Sequence, residues 1–194
     1  MTRLLKVISS KHGQLSKVRL YSLRRLKILQ MRDLVIEYKP IGVIHSPFKS
    51  AQGVPIQPKA AKEVEGVIEI FPDYVEGLRD LDGFSHIILI YHFHLVRGYR
   101  LLVKPYMDDS VRGVFATRAP ARPNPIGISV VKLLKIDRNL IYVKGLDVVD
   151  GTPLLDIKPY VPDFDIFEVE RIGWLERCVH KLKQAKDDGR FVSE

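Results

Sequence analysis

The sequence predicts a mainly β protein, a small and mostly antiparallel β-barrel followed by a C-terminal α-helix. Three observations carry that expectation. Eight short stretches are rich in apolar and β-branched residues with a period near two, and little helical periodicity separates them. No Gly-x-Gly occurs anywhere in the 194 residues, so the chain carries neither a dinucleotide fingerprint nor a phosphate-cradling loop. A proline-braced stretch, Gly113–Ser129 (GVFATRAPARPNPIGIS), interrupts the strand pattern at a single place.

The strands are expected at Tyr38–Ser46, Val64–Phe71, Ser85–Val96, Tyr99–Tyr106, Val111–Thr117, Ile126–Asp137, Leu140–Leu146 and Pro153–Tyr160. Asp137-Arg138-Asn139 reads as a hairpin turn, and Tyr74–Leu81 as two helical turns. Asp165 followed by Glu168 resembles a capping box. Ile172, Leu175, Val179 and Leu182 then recur at helical spacing, so one helix is expected there, ending in a polar tail over Asp187–Glu194. Three regions follow: a basic extension over 1–30, a barrel over 31–165, and the helix with its tail over 166–194.

Charge is informative only once it is located. The net charge is +8, but residues 1–30 hold eight Lys and Arg and no Asp or Glu, leaving 23 basic and 23 acidic residues from Met31 onward. The body is therefore neutral, and total charge does not identify its ligand. Residues 1–30 read as a loosely held leader or start-site extension ahead of a domain beginning near Met31. The other reading is a basic arm for nucleic acid or anionic lipid. A single cysteine, Cys178, allows no internal disulfide and suggests a reducing, cytoplasmic setting. No apolar run reaches the roughly 18 residues of a spanning helix.

Pro120, Pro123 and Pro125 each fix φ and push the preceding residue towards extended backbone. The loop they stiffen presents Arg118, Arg122 and Asn124 between two strands, the kind of rigid loop on which binding groups concentrate. His86, His92 and His94 share parity on the long strand, opposite Tyr91 and Phe93. His92-x-His94 suits two metal ligands, but no carboxylate or thiol follows to complete a set, and no metal is expected. Asp147, Asp150 and Thr152 cluster around a turn, and Asp156, Lys158 and Tyr160 share one strand face. Cys178 lies in an apolar stripe and no serine sits in a nucleophile elbow, so covalent hydrolysis fits poorly. Group transfer helped by positioning fits better.

Four motifs, Gly113–Ser129, Asp150–Tyr160 (DGTPLLDIKPY), Ile41–Phe48 (IGVIHSPF) and Tyr91–His94 (YHFH), resemble the TrmO/YaeB (TsaA-like) family. Its members are S-adenosylmethionine-dependent tRNA N6-adenine methyltransferases built on a β-barrel rather than a Rossmann fold. The resemblance spans about Tyr38 to Asp165. It implies methyl transfer to N6 of N6-threonylcarbamoyladenosine at position 37, beside the anticodon, by a homodimer with the cofactor near its interface. It assigns cofactor contacts to Pro55, Ile56, Gln57, Phe93, His94, Arg118, Ile128, Val148, Val149, Asp150 and Gly151. On chemical grounds a carboxylate such as Asp150 would offset the cofactor's positive charge. Arg122, Asn124 and Lys158 are left for tRNA, and Asp156 or Tyr160 for the proton released from N6. Two departures stand out: family members often have Pro-Arg-Gln where this chain has Pro55-Ile56-Gln57, and bacterial members carry a further C-terminal domain. Two other classes remain: a metal-dependent barrel enzyme using His92 and His94, and a non-catalytic RNA- or nucleotide-binding module.

Overall fold

Alternating burial along β6 (Ile126–Asp137) shows how the chain organises itself. Gly127, Ser129, Val131 and Leu133 face inward while Ile126, Ile128, Val130 and Lys132 face out. A computed structural model describes Met31 and residues 34–192 of the chain. It divides at Tyr38, with residues 39–194 forming one compact unit. In the preceding unit, residues 34–38 carry no regular secondary structure. The basic extension over 1–30 lies outside the described residues.

Six strands close into a barrel in the order β1 (Gly42–His45), β2 (Glu65–Ile70), β7 (Leu140–Lys144), β6, β3 (His86–His92) and β8 (Thr152–Pro159). Every neighbouring pair is antiparallel. The long strand β6 makes closure possible. Its first half pairs with β3 and its second half with β7, and the register shifts between Leu133 and Lys135, where the strand bends. A second shift, between Ile90 and Tyr91, bends β3 against β8. Inside lie Ile44, Ile68, Ile87, Leu89, Val131, Ile141, Val143 and Leu154, all fully buried. Each such side chain contributes roughly 1.5–3 kcal/mol through removal of apolar surface from water.

Several expected elements differ. The strand expected over 85–96 stops at His92: Pro125, whose carbonyl takes the Phe93 amide (2.7 Å), has no N–H to extend the ladder, and the Val96 amide donates back to the Phe93 carbonyl (3.2 Å) in a turn. His94 therefore does not share the outward parity of His86 and His92. The strands expected over 99–106 and 111–117 shrink to β4 (Leu102–Val103) and β5 (Arg112–Gly113), a separate two-stranded ribbon. A 3-10 turn at Val114–Ala116 ends β5.

The C-terminal helix is corrected. Asp165 does not cap it; its carboxylate accepts from the Val161 amide (2.8 Å) and closes a single turn, α1 (Pro162–Asp165). Beyond it, Gly173 takes φ +61°, and two 3-10 segments, Gly173–Arg177 and Val179–Lys183, meet at Cys178, whose backbone is not helical. The apolar spacing serves these three-residue turns instead: Cys178 is buried, while Ile172 and Val179 remain exposed.

The polar tail is corrected too. Asp187 pairs through its backbone with Gly53 and Val54 (2.7 and 2.8 Å), and Phe191 packs in a second core with Val103, Val114, Ala119 and Ala121. Arg190 donates to the Lys104 and Pro105 carbonyls and lies over the Tyr106 ring. Residues 186–192 are a strap fastened across the protein beside the proline loop.

Candidate active site

The end of β3, the start of β6 and the start of β8 converge at one end of the barrel. Around them stand the 51–57 loop, the proline loop and the strap, and together they enclose a cleft of about 920 Å³, counting the part open to solvent.

The proline loop is stiffened as its composition predicts. Ala119 and Ala121 are buried, so Arg118 and Pro120, which alternate with them, are turned towards the cleft. Thr117 Oγ1 donates to the Val114 carbonyl (2.8 Å) and accepts from the Ala119 amide. Arg122 reaches the Val114 and Thr117 carbonyls at 3.4 Å, so it braces the loop as well as lining the cleft. Arg118 Nη1 donates to Gln57 Oε1 (2.6 Å), linking the proline loop to the 51–57 loop across the mouth.

At the base runs a directed chain of hydrogen bonds. Ser129 Oγ donates to Asp147 Oδ1 (2.6 Å). Having spent its one proton, Ser129 accepts from the Tyr91 hydroxyl (3.0 Å). Asp147 Oδ2 receives no side-chain hydrogen bond among the described residues. Burial pushes the Asp147 carboxyl up to about 7, against the pull of Ser129 and of the Arg118 charge. Burial likewise raises Tyr91 and lowers His94, whose ring stands 3.5 Å from the Thr152 hydroxyl.

Gly127 is essential to this floor. A Cβ there would penetrate the Tyr91 ring and stand 2.8 Å from Phe93 Cζ. Only glycine lets the two rings, packed edge to face at 5.4 Å, lie on the β6 backbone.

Nine of the eleven residues that the resemblance assigns to a cofactor line the cleft: Pro55, Ile56, Gln57, Phe93, His94, Arg118, Ile128, Val148 and Val149. Asp150 and Gly151 do not. Asp150 is turned away and held by Lys49 Nζ (2.7 Å) and the Ser46 amide (3.0 Å), while Gly151 supplies the positive φ (+76°) of the turn. Asn124 sits exposed in the proline loop outside the cleft lining. Asp156, Lys158 and Tyr160 also lie elsewhere. Asp156 and Lys158 are ion-paired (2.7 Å) on the barrel's outer surface, and Tyr160 meets His86 edge to face. Tyr160 is eight residues along β8 from Thr152, roughly 25 Å at strand rise.

Two floor residues carry little sequence signal as a pair. Tyr91 and Asp147 are far apart in the chain, and Ser129 hides in an apolar strand. Their one legible mark is a hydroxyl at an inward position of β6. The strap residues Asp187 and Val192 also line the cleft. Among the described residues no group of three or more His, Cys, Asp or Glu is gathered to hold a metal ion.

A six-stranded antiparallel barrel with a charged, partly apolar cleft at one end defines a small ligand-binding barrel of non-Rossmann type. Residues 43–166 match the tRNA-methyltransferase O N-terminal domain, and the chain belongs to that family. A Pyrococcus abyssi protein named as a probable S-adenosyl-L-methionine-binding protein is 62% identical over 82% of this chain and 87% of its own. The Escherichia coli tRNA (adenine(37)-N6)-methyltransferase is 40% identical over 65% of this chain and 58% of its own. The crystal structure of TrmO from Pseudomonas aeruginosa superposes with a TM-score of 0.61 at 38% identity, covering 73% of this chain and 63% of that one. This chain thus spans about three-fifths of the bacterial enzymes it matches.

Proposed function

We propose that this protein is an S-adenosylmethionine-dependent tRNA methyltransferase acting in the cytoplasm on N6 of adenosine 37, with N6-threonylcarbamoyladenosine as the base modified. The observation that carries the reading is the convergence of Arg118, Gln57, Phe93 and His94 with the Val148–Val149 turn in one cleft, from four separate stretches of chain. S-adenosylmethionine supplies an activated methyl group. The cleft fits such a group: apolar Pro55, Ile56, Ile128 and Val148 border it, Phe93 offers a ring for an adenine to stack on, and charges of both signs flank them. The protein's task is to align acceptor and donor and to exclude water.

Arg122 and Asn124 on the proline loop and Lys158 on the barrel are the proposed tRNA contacts. The charges of Arg122 and Lys158 suit the phosphate backbone, and the Asn124 carboxamide can donate to it or to a base edge. A homodimer is part of the proposal. Ile128, Ile90 and Asp156 form one cross-strand row on the outer surface, and Val130, Ile88 and Lys158 form the next. Ile126, Ile128 and Val130 are exposed there, and the first two also border the cleft. A second copy seated on this face would bring Asp156 and Tyr160 of one subunit towards the cleft of the other, and in that setting they keep the proposed role of receiving the N6 proton.

Calorimetric titration with S-adenosylmethionine tests the cofactor site. Saturable binding by the wild type that Arg118→Ala weakens at least tenfold is the expected result. A folded wild type that does not bind removes the reading.

A further inference from the structure

Asp150 is the carboxylate that the sequence offers as an example for the cofactor's positive charge, and the structure turns it away, locked to Lys49 and the Ser46 amide. Only two carboxylates line the cleft among the described residues, Asp147 and Asp187. Asp187 is engaged in fastening the strap, its side chain accepting from the Gly189 amide (2.7 Å) while its backbone pairs with Gly53 and Val54. Asp147 has one oxygen fixed by Ser129 and the other without a side-chain donor, and it forms no ion pair among the described residues.

We propose that Asp147, held at the base of the cleft by the Tyr91–Ser129 chain, is the anionic subsite that takes the positive charge of S-adenosylmethionine, its sulfonium or its α-ammonium. The inference rests on the cofactor reading above. The hydrogen-bond order supports it: with Tyr91 donating to Ser129 and Ser129 to Asp147, the carboxylate is oriented as an acceptor, and the oxygen without a side-chain donor is paired with no competing cation among the described side chains. The opposite pole supports it as well. Arg118 stands at the mouth, so the cleft offers a cation and an anion to a ligand that itself carries both signs. A carboxylate placed where burial disfavours its charge is a feature of sites rather than of scaffolds.

Cation binding at Asp147 requires its charged form, so the affinity must depend on pH. The groups facing Asp147 or sharing its cleft are Ser129 and Tyr91 beneath it, His94 from the end of β3, Arg118 and Arg122 from the proline loop, and Tyr106 and Asp187 beside the strap. His94 titrates below its ordinary range, and Tyr91 and Tyr106 above theirs. Burial also raises Asp187, and an Asp147 variant separates its contribution from that of Asp147.

The experiment is calorimetric titration of the full chain with S-adenosylmethionine and with S-adenosylhomocysteine, from pH 6 to pH 8, in buffers of different ionisation enthalpy. The wild type should release up to about one proton on binding near pH 6.5 and lose affinity below pH 7 by up to about tenfold per unit. Asp147→Asn, of the same shape, should bind at least tenfold more weakly at pH 8 and lose that proton release. Ser129→Ala removes a hydrogen bond that holds the carboxyl down, so its affinity should begin to fall at a higher pH. If Asp147→Asn weakens only S-adenosylmethionine, the charge met is the sulfonium; if it weakens both ligands alike, it is the ammonium. A wild type that binds while Asp147→Asn binds equally tightly with unchanged proton release overturns this inference alone. A folded wild type that binds neither ligand overturns the cofactor reading beneath it.

Discussion

Asp147→Asn should stabilise the unliganded protein, and by an amount that grows with pH. The native environment raises the Asp147 carboxyl from its ordinary 3.8 to about 7. The folded state therefore holds this proton more tightly than the unfolded state. Stability is highest below about pH 4 and falls as pH rises, until the whole cost is present above about pH 7. At 1.36 kcal/mol per unit, the cost is about 2 kcal/mol at pH 5 and about 4 kcal/mol at pH 8. Asparagine keeps an oxygen for Ser129 and carries no charge, so it removes the pH-dependent part without opening a cavity. Urea denaturation of both proteins at pH 5 and pH 8 reads the difference. The variant's advantage should widen by roughly 2–3 kcal/mol between the two. An advantage independent of pH, or one that shrinks as pH rises, would refute the claim that the carboxylate is held against its own charge.

Gly127→Ala should cost about 1–3 kcal/mol and displace Tyr91, since the new methyl group meets two aromatic rings; near-wild-type stability by denaturant titration would contradict the packing described. Phe191→Ala should destabilise by about 3 kcal/mol, because the ring anchors the strap in the second core, and limited proteolysis should then cut after residue 185. Ile128→Asp, on the exposed outer face of β6, should yield monomers in sedimentation experiments; an unchanged dimer would place the interface elsewhere.

The barrel strands were legible because large β-branched or leucine side chains recur at inward positions with period two, as at Ile68 and Ile70, Ile87 and Leu89, and Ile141 and Val143. β6 is predicted to the residue, from Ile126 to Asp137. What misled was apolar sequence without that function. Val111–Thr117 reads as a strand, yet Val111 and Phe115 are exposed and only Val114 turns in, at a 3-10 bend. The helix over 166–186 had the right spacing, but local periodicity cannot register that Gly173 reverses the backbone or that Cys178 breaks it. The strap was missed because its residues are polar. Its one signal was Phe191, a lone large aromatic in a charged tail, now seen 5% exposed. For the site, the proline loop announced itself through composition. The Tyr91–Ser129–Asp147 floor did not, since its members come from three different elements and meet only when the barrel closes.

The most direct test of the central claim is methyl transfer by the full chain from labelled S-adenosylmethionine to tRNA carrying N6-threonylcarbamoyladenosine, read by mass spectrometry of the digested nucleosides. The account predicts one added methyl group on N6 of that nucleoside, and its loss in Arg118→Ala with the fold intact. Unmethylated tRNA from a wild type that binds both partners, or an undiminished rate in Arg118→Ala, would contradict it.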